Sequence, residues 1–142
     1  MTLTRIEFSQ EHPQEWAGMG DFLLVSPNGN HEIQLPYVGE PPWGDSYHTI
    51  QIDGHDIPGL AWGCAFAMSS CSRYLAFSWM RQRFERKTMV VDMEERRYTI
   101  LPNYIFVLEI EWPYILGEWE GRKGKDYEFN GAESWFPYAE SS

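Results

Sequence analysis

The groups in this chain that could do chemistry are its four histidines, two cysteines, scattered serines and 21 carboxylates. The run Asp53-Gly54-His55-Asp56 puts an imidazole beside two carboxylates, the neighbourhood in which a histidine becomes a tuned general base. Asp-Gly is also a common turn, and the turn accounts for the run more economically than catalysis does. It is not a calcium loop, because the acid spacing and the terminal Glu of an EF-hand are absent. His12, His31, His48 and His55 fit no metal-ligand spacing, and Cys64 and Cys71 lack a C-x-x-C pattern or a second pair. Buried free thiols are expected there. Ser69, Ser70, Ser72 and Ser78 lack the G-x-S-x-G elbow, and no glycine-rich phosphate loop occurs. The pairs Glu109/Glu111 and Glu118/Glu120 stand at i,i+2 and so share one face of a strand. Two such carboxylates would suit glycoside hydrolysis, but a solvated strand face opposite Ile110 or Trp119 explains them more simply. The expectation is therefore no catalytic residue, no metal and no cofactor.

Aromatic rings beside acids carry more information. Glu111-Trp112-Pro113-Tyr114, Glu118-Trp119-Glu120, Asp126-Tyr127-Glu128-Phe129 and Glu133-Ser134-Trp135-Phe136-Pro137-Tyr138 interleave large rings with negative charge. Trp and Tyr anchor protein interfaces because they bring large contact area at low entropic cost, and neighbouring carboxylates suit Arg and Lys on a partner. The expected partner-binding residues are Glu40, Trp43, Asp45, Asp53 and Asp56 in one acidic passage. Glu111, Glu118, Trp119, Glu120, Asp126, Tyr127, Glu133, Trp135 and Tyr138 form the other. Strand alternation sends part of the aromatic set inward; Trp62, Phe66, Phe77, Ile100, Phe106, Leu108 and Ile110 are the expected core, with Trp43, Trp119, Tyr127, Trp135 and Tyr138 at least partly exposed.

The formal charge is −10 and it is unevenly placed. Residues 1–72 hold nine acids and only Arg5 as a base, residues 73–97 hold seven bases against four acids, and the remainder is acidic again. Such a field repels phosphates and anionic lipid heads and speeds encounter with a basic protein. Neither nucleic acid nor membrane is an expected partner. An aromatic content of 16% argues against disorder. No apolar run has the length of a membrane span, and Met1-Thr2-Leu3-Thr4-Arg5-Ile6-Glu7 lacks the features of a secretory signal. A cytoplasmic domain is expected.

The elements that must hold these residues read as strands. Asp21–Ser26 and His31–Tyr37 flank Pro27-Asn28-Gly29-Asn30, a hairpin signal because Asn and Gly tolerate positive φ. Residues 39–63 read as a long Pro- and Gly-rich loop enclosing the short strand Tyr47–Ile52. Strand patterns return over Ala65–Met68, Tyr74–Met80, Thr88–Met93, Tyr98–Pro102 and Tyr104–Trp112, and Glu118–Phe129 reads as a last hairpin. Residues 9–19 allow a short helix of a turn or two, limited by Pro13 and Gly18.

The stretches Ala67–Phe77 and Met89–Leu101 resemble a blade of WD40-like and Tricorn-like β-propellers. Such blades set a serine and a polar turn between the first two strands, end the third with Val-Asp, and precede the fourth with a charged turn. Leu24–Asn30 matches the same first turn 43 residues upstream when Ser26 is laid on Ser69, a spacing within the range of propeller repeats. No Trp-Asp dipeptide closes a blade, and Cys71-Ser72 stands where Asp-Gly is usual. A closed propeller needs four blades or more, so 142 residues predict something smaller. The expected fold is mainly β, a single domain over 1–142 with seven to nine mostly antiparallel strands in propeller-like hairpins, as a twisted sheet or sandwich. In type, a small acidic β domain with aromatic-acidic surfaces is similar to the immunity proteins of bacterial polymorphic toxins. That likeness implies a non-catalytic inhibitor, monomeric alone, that covers a basic toxin domain in a heterodimer. The alternatives are an oligomeric scaffold module, a carbohydrate-binding protein or a hydrolase.

Overall fold

Residues 3–9, 14–16, 20–39, 46–81, 85–119 and 122–139 are described by a computed structural model. They form strands and turns, with no helix among them. The strands are β1 (Thr4–Glu7), β2 (Gln14–Trp16), β3 (Phe22–Val25), β4 (Glu32–Leu35), β5 (Tyr37–Gly39), β6 (Tyr47–Ile52) and β7 (His55–Met68). They continue as β8 (Tyr74–Met80), β9 (Lys87–Asp92), β10 (Arg97–Leu101), β11 (Val107–Glu111), β12 (Tyr114–Trp119), β13 (Arg122–Glu128) and β14 (Phe136–Pro137). A large sheet runs β1-β3-β4-β6-β7-β8-β9-β10-β14, with β2 on β7 and β5 on β6, and β11-β12-β13 form a second, smaller sheet. Every pairing is antiparallel except β1 with β3. The chain is mainly β, as its alternation predicts. It has more strand segments than the seven to nine expected, chiefly because short edge pieces such as β2, β5 and β14 pair where the sequence shows only two or three suitable residues.

The passage 39–63, expected as a loop, is the main correction. Its second half is the start of β7, which runs unbroken from His55 to Met68. The glycines read as loop markers are bends inside a strand. While β6 advances from His48 to Ile50, β7 runs from Ile57 to Ala61; while β8 advances from Phe77 to Trp79, β7 runs from Ala61 to Phe66. Gly59 (φ 78°) and Gly63 (φ 114°) occupy these excess stretches in conformations that L-residues avoid. A strand that turns a corner at bulges can serve two layers. β7 does so, its first half pairing β6 and its second half β8.

The bend brings one face of all these strands into a single core. Leu24, Ile33, Leu35, Ile50, Ile52 and Ile57 from one side meet Phe66, Leu75, Phe77, Trp79, Met89 and Val91 from the other. The outer face of the first group is polar, with Glu32, Gln34, Thr49 and Asp56 alternating against the buried residues. The outer face of the second group is apolar (Ala67, Tyr74, Ala76, Val90), and Ile110, Ile115 and Phe129 of the smaller sheet and its following loop cover it. β8 is therefore buried along its whole length. Of the expected core, Phe66, Phe77 and Ile110 are buried. Trp62, Ile100 and Phe106 are half-buried, and the Leu108 side chain lies outside the described set.

Two turns 43 residues apart share one hydrogen-bond pattern. The Ser26 N–H donates to the His31 carbonyl, the Gly29 N–H to the Ser26 carbonyl and the His31 N–H to Ser26 Oγ. The Ser69 N–H donates to Tyr74, Ser72 to Ser69 and Tyr74 to Ser69 Oγ in the same way. Gly29 and Ser72 hold equivalent positions, both at positive φ. Serine suits this place because its hydroxyl caps the turn from within. The bent sheet brings the two turns into contact, the Asn28 N–H donating to Ser72 Oγ at 2.9 Å. No helix among the described residues is long and apolar enough to cross a membrane.

Candidate functional site

The β11–β12 hairpin turns at Trp112-Pro113, a cis peptide, directly beside the β7–β8 turn. Trp112 stacks on Tyr74 at 3.8 Å between ring centroids and on Phe129 at 4.4 Å. Phe129 in turn stacks with Trp135 at 6.0 Å and meets Tyr127 edge-on at 4.9 Å. Tyr74 and Phe129 are buried, whereas Trp112 stays 42% exposed. The ladder fixes Trp112 while leaving part of its surface to solvent. Beside it lies a pocket of about 390 Å³ lined by Ser69, Ser70, Cys71, Glu109, Ile110, Glu111 and Trp112. Its lining mixes apolar side chains with two carboxylates. Ser70 and Cys71 are exposed, so the Cys71 thiol is not buried as expected, and the Cys64 side chain lies outside the described set. A smaller hollow of about 270 Å³ on the outer face of the β11–β13 sheet is lined by Glu111, Leu116, Gly124 and Lys125. Glu111 borders both.

A second polar group gathers at the β6–β7 turn. Asp53 (φ 51°) and Gly54 (φ 84°) form the turn itself. His31 Nδ1 lies 2.7 Å from Asp53 Oδ2, and the Glu32 N–H donates to Asp53 Oδ1 at 2.8 Å. Burial pushes the Asp53 carboxyl up, but the His31 and Glu32 hydrogen bonds outweigh it and hold its pKa below the usual carboxylate range. Asp56 accepts from Gln51 Nε2 at 2.9 Å. The ring of Tyr138 stands 6.3 Å from that of His55. Burial, and then the negative charges of Asp53 and Asp92, raise the Tyr138 phenol above its ordinary pKa. These contacts hold two turns and the C-terminal segment together. Each carboxylate of the Asp53–Asp56 run is engaged in a structural bond.

The central basic stretch is likewise occupied. Asp92, fully buried at the end of β9, accepts from Arg73 Nε at 3.0 Å, Arg73 Nη2 at 2.9 Å, Arg97 Nε at 3.2 Å and the Glu95 N–H at 3.2 Å. Burial opposes its charge; the Arg73 bonds, followed by the others, overcome this and lower its pKa. Arg97 also stacks on Trp135, 4.6 Å from the ring centroid. Two of the bases that make residues 73–97 positive thus neutralise a buried acid and do not form a phosphate-binding patch.

The remaining expected partner residues are spread out. Glu118 and Trp119 lie in β12, and Asp126 in β13 packs against Gly117. Across the hairpin the backbone register pairs Glu118 with Lys123 and Trp119 with Arg122. Tyr127 Oη donates to Glu133 Oε2 at 2.6 Å, and the same carboxylate accepts from the Asn130 and Gly131 N–H groups. Burial and then this bond push the Tyr127 phenol up to about 12. Tyr127, Trp135 and Tyr138 are half-buried, as expected for rings that both pack and show an edge. Glu40, Trp43, Asp45 and Glu120, with the Trp119 side chain, lie outside the described residues.

Of the expected set, only Glu111 sits on the pocket by Trp112. Trp112, Glu109 and the Ser69–Cys71 turn are not among the partner-binding residues expected from the sequence. The Glu109/Glu111 spacing was the available signal; what it lacked was the turn 40 residues earlier that completes the pocket. No group of three or more His, Cys, Asp or Glu that could hold a metal ion occurs among the described residues. Comparison of the chain with protein-family models, curated proteins and solved structures finds no match, so its own chemistry carries the functional reading.

Proposed function

We propose that this chain is a non-catalytic binding protein that covers a basic surface on another protein, in the manner of an immunity protein neutralising a cognate bacterial toxin. The observation that carries the reading is the exposed pair Glu111 and Trp112, which line the 390 Å³ pocket together with Glu109. An indole held by stacking loses little further freedom on binding, so its contact area converts efficiently into affinity. The −10 charge supplies the long-range attraction that accelerates encounter with a basic partner. Inhibition then consists of occupying the partner's active or substrate-binding surface, and needs no chemistry from this chain. The protein is a monomer alone and a heterodimer with its target.

The test is capture from lysate of the source organism by the tagged chain, alongside a Glu109→Lys/Glu111→Lys variant. One basic protein retained in stoichiometric amount by the native chain and lost by the variant supports the reading. Association with that protein should slow about tenfold or more between low and high salt, because screening removes the steering field. Capture that ignores the charge reversal, or no captured protein at all, refutes it.

A further inference from the structure

We infer that Trp135–Tyr138 is a clasp, a segment that fastens the two cores of the domain together and opens without the rest of the chain unfolding. The four residues run along the edge of β10, and their rings join the clusters on both faces of its sheet. Trp135 packs on the outer cluster, stacked with Phe129 and 4.6 Å from the Arg97 guanidinium. Tyr138 packs on the main core, its ring 6.3 Å from that of His55 at the start of β7. The backbone links the two anchors to β10. Phe136 pairs with Tyr98 and Pro137 with Arg97, and the Tyr138 N–H donates to the Arg96 carbonyl at 3.0 Å.

The fastening is light. Phe136 is 48% exposed, and Pro137 has no N–H to give the ladder. Tyr138 Oη is buried yet has no hydrogen-bond partner among the described residues. A hydroxyl desolvated without a partner opposes closure. β8, in contrast, is buried along its whole length between two paired neighbours. A segment held by a few buried groups opens at lower free energy than such a strand. The loop before the clasp is tied to itself. Glu133 Oε2 accepts from Tyr127 Oη at 2.6 Å and from the Asn130 N–H at 3.2 Å, and Oε1 accepts from the Gly131 N–H at 3.1 Å. Asn130 Oδ1 accepts from the Ala132 N–H at 2.8 Å. A loop so tied keeps its course when the clasp is off, so reclosure costs less chain entropy. Release bares the edge of β10 at Arg97 and Tyr98 and uncovers the His55 ring.

The experiment is native-state hydrogen exchange of the whole chain, read by NMR at the residue 138 amide and at the slowest amides of β8, with and without low urea. The residue 138 amide should exchange about 100-fold or more faster than β8 and respond little to urea, because local opening exposes little surface. Tyr138→Phe should slow that amide roughly fivefold or more, since the closed form no longer holds an unpaired hydroxyl. Glu133→Gln should speed it about threefold or more, because all three partners of the carboxylate are donors and an amide turns an NH₂ group toward one of them. Exchange at residue 138 that matches β8 in rate and urea response overturns the clasp, and so does an amide with no protection at all. Faster exchange in Tyr138→Phe overturns the part given to the hydroxyl, and an unchanged rate in Glu133→Gln the part given to the loop.

Discussion

Replacing Gly59 with alanine tests whether the corner in β7 holds the fold together. Gly59 has φ 78°, and a Cβ placed there would lie 2.5 Å from Cε2 and Nε1 of Trp79. Trp79 is 1% exposed, and its Nε1–H donates to the Pro58 carbonyl at 2.7 Å, one residue before the glycine. Three costs combine. An L-residue at left-handed φ costs about 1–2 kcal/mol. Overpacking a filled core costs about 1–3 kcal/mol. If the indole moves away to relieve the contact it gives up its hydrogen bond, and a buried unsatisfied donor costs about 1–3 kcal/mol. Because the indole either stays and is compressed or moves and loses its bond, the last two partly exclude each other, and the total is about 3–4 kcal/mol. Gly29→Ala is the matched control: the same φ of 78° but nothing within 4 Å of the added carbon, so only the backbone cost of about 1–2 kcal/mol remains. Thermal unfolding followed by far-ultraviolet circular dichroism measures both, and the melting temperature should fall by roughly 10 °C for Gly59→Ala and a third to a half as much for Gly29→Ala. In a Trp79→Phe background the penalty at Gly59 should shrink by about 1 kcal/mol or more, since the smaller ring vacates the contested space. Equal losses at the two glycines, or no coupling to Trp79, refute the reasoning.

Three further outcomes follow from the geometry. Asp92→Ala should cost about 3 kcal/mol in chemical denaturation, because it strands Arg73, Arg97 and the Glu95 N–H together; Asp92→Asn should cost less by keeping acceptor capacity. Asp53, Asp92 and Glu133 all have lowered folded pKa values, so the stability they provide is complete above their ordinary pKa near 4 and drains away as pH falls through the lower folded values. Acid unfolding curves should therefore steepen below about pH 4, and Asp53→Asn should make that slope shallower by up to one proton, about 1.4 kcal/mol per pH unit. The Tyr127 phenolate, identified by difference absorbance against Tyr127→Phe, should ionise near pH 12, and Glu133→Gln should move it down while burial keeps it above its ordinary value.

The sequence alone was enough to establish most of the strand grammar. Alternation through Glu32-Ile33-Gln34-Leu35 is a local property, since adjacent side chains of a strand must point to opposite faces, and it places Ile33 and Leu35 inside without reference to the rest of the chain. The Asn28-Gly29 turn is equally local, because the φ it needs is available to those residue types wherever they occur. The likeness of Ser26 to Ser69 was visible as spacing, and their shared turn follows from the reach of one hydroxyl. The surplus of acids beside rings in the last third was visible too, though not which of them remain open to a partner.

Tertiary structure decided everything that depended on which distant segments meet. Glycines 59 and 63 mark a loop by composition and a bent strand by structure, and only the pairing of β6 and β8 on either side of β7 separates the two. Whether a carboxylate is free or consumed depended on partners far along the chain, such as His31 for Asp53 and Arg73 for Asp92, with separations of 22 and 19 residues. The same held for the pocket. Glu109, Glu111 and Trp112 become a lined cavity because the bend in β7 delivers Ser69–Cys71 beside them. Side-chain chemistry is written residue by residue, but a site exists only where the folded backbone closes the distance between its parts.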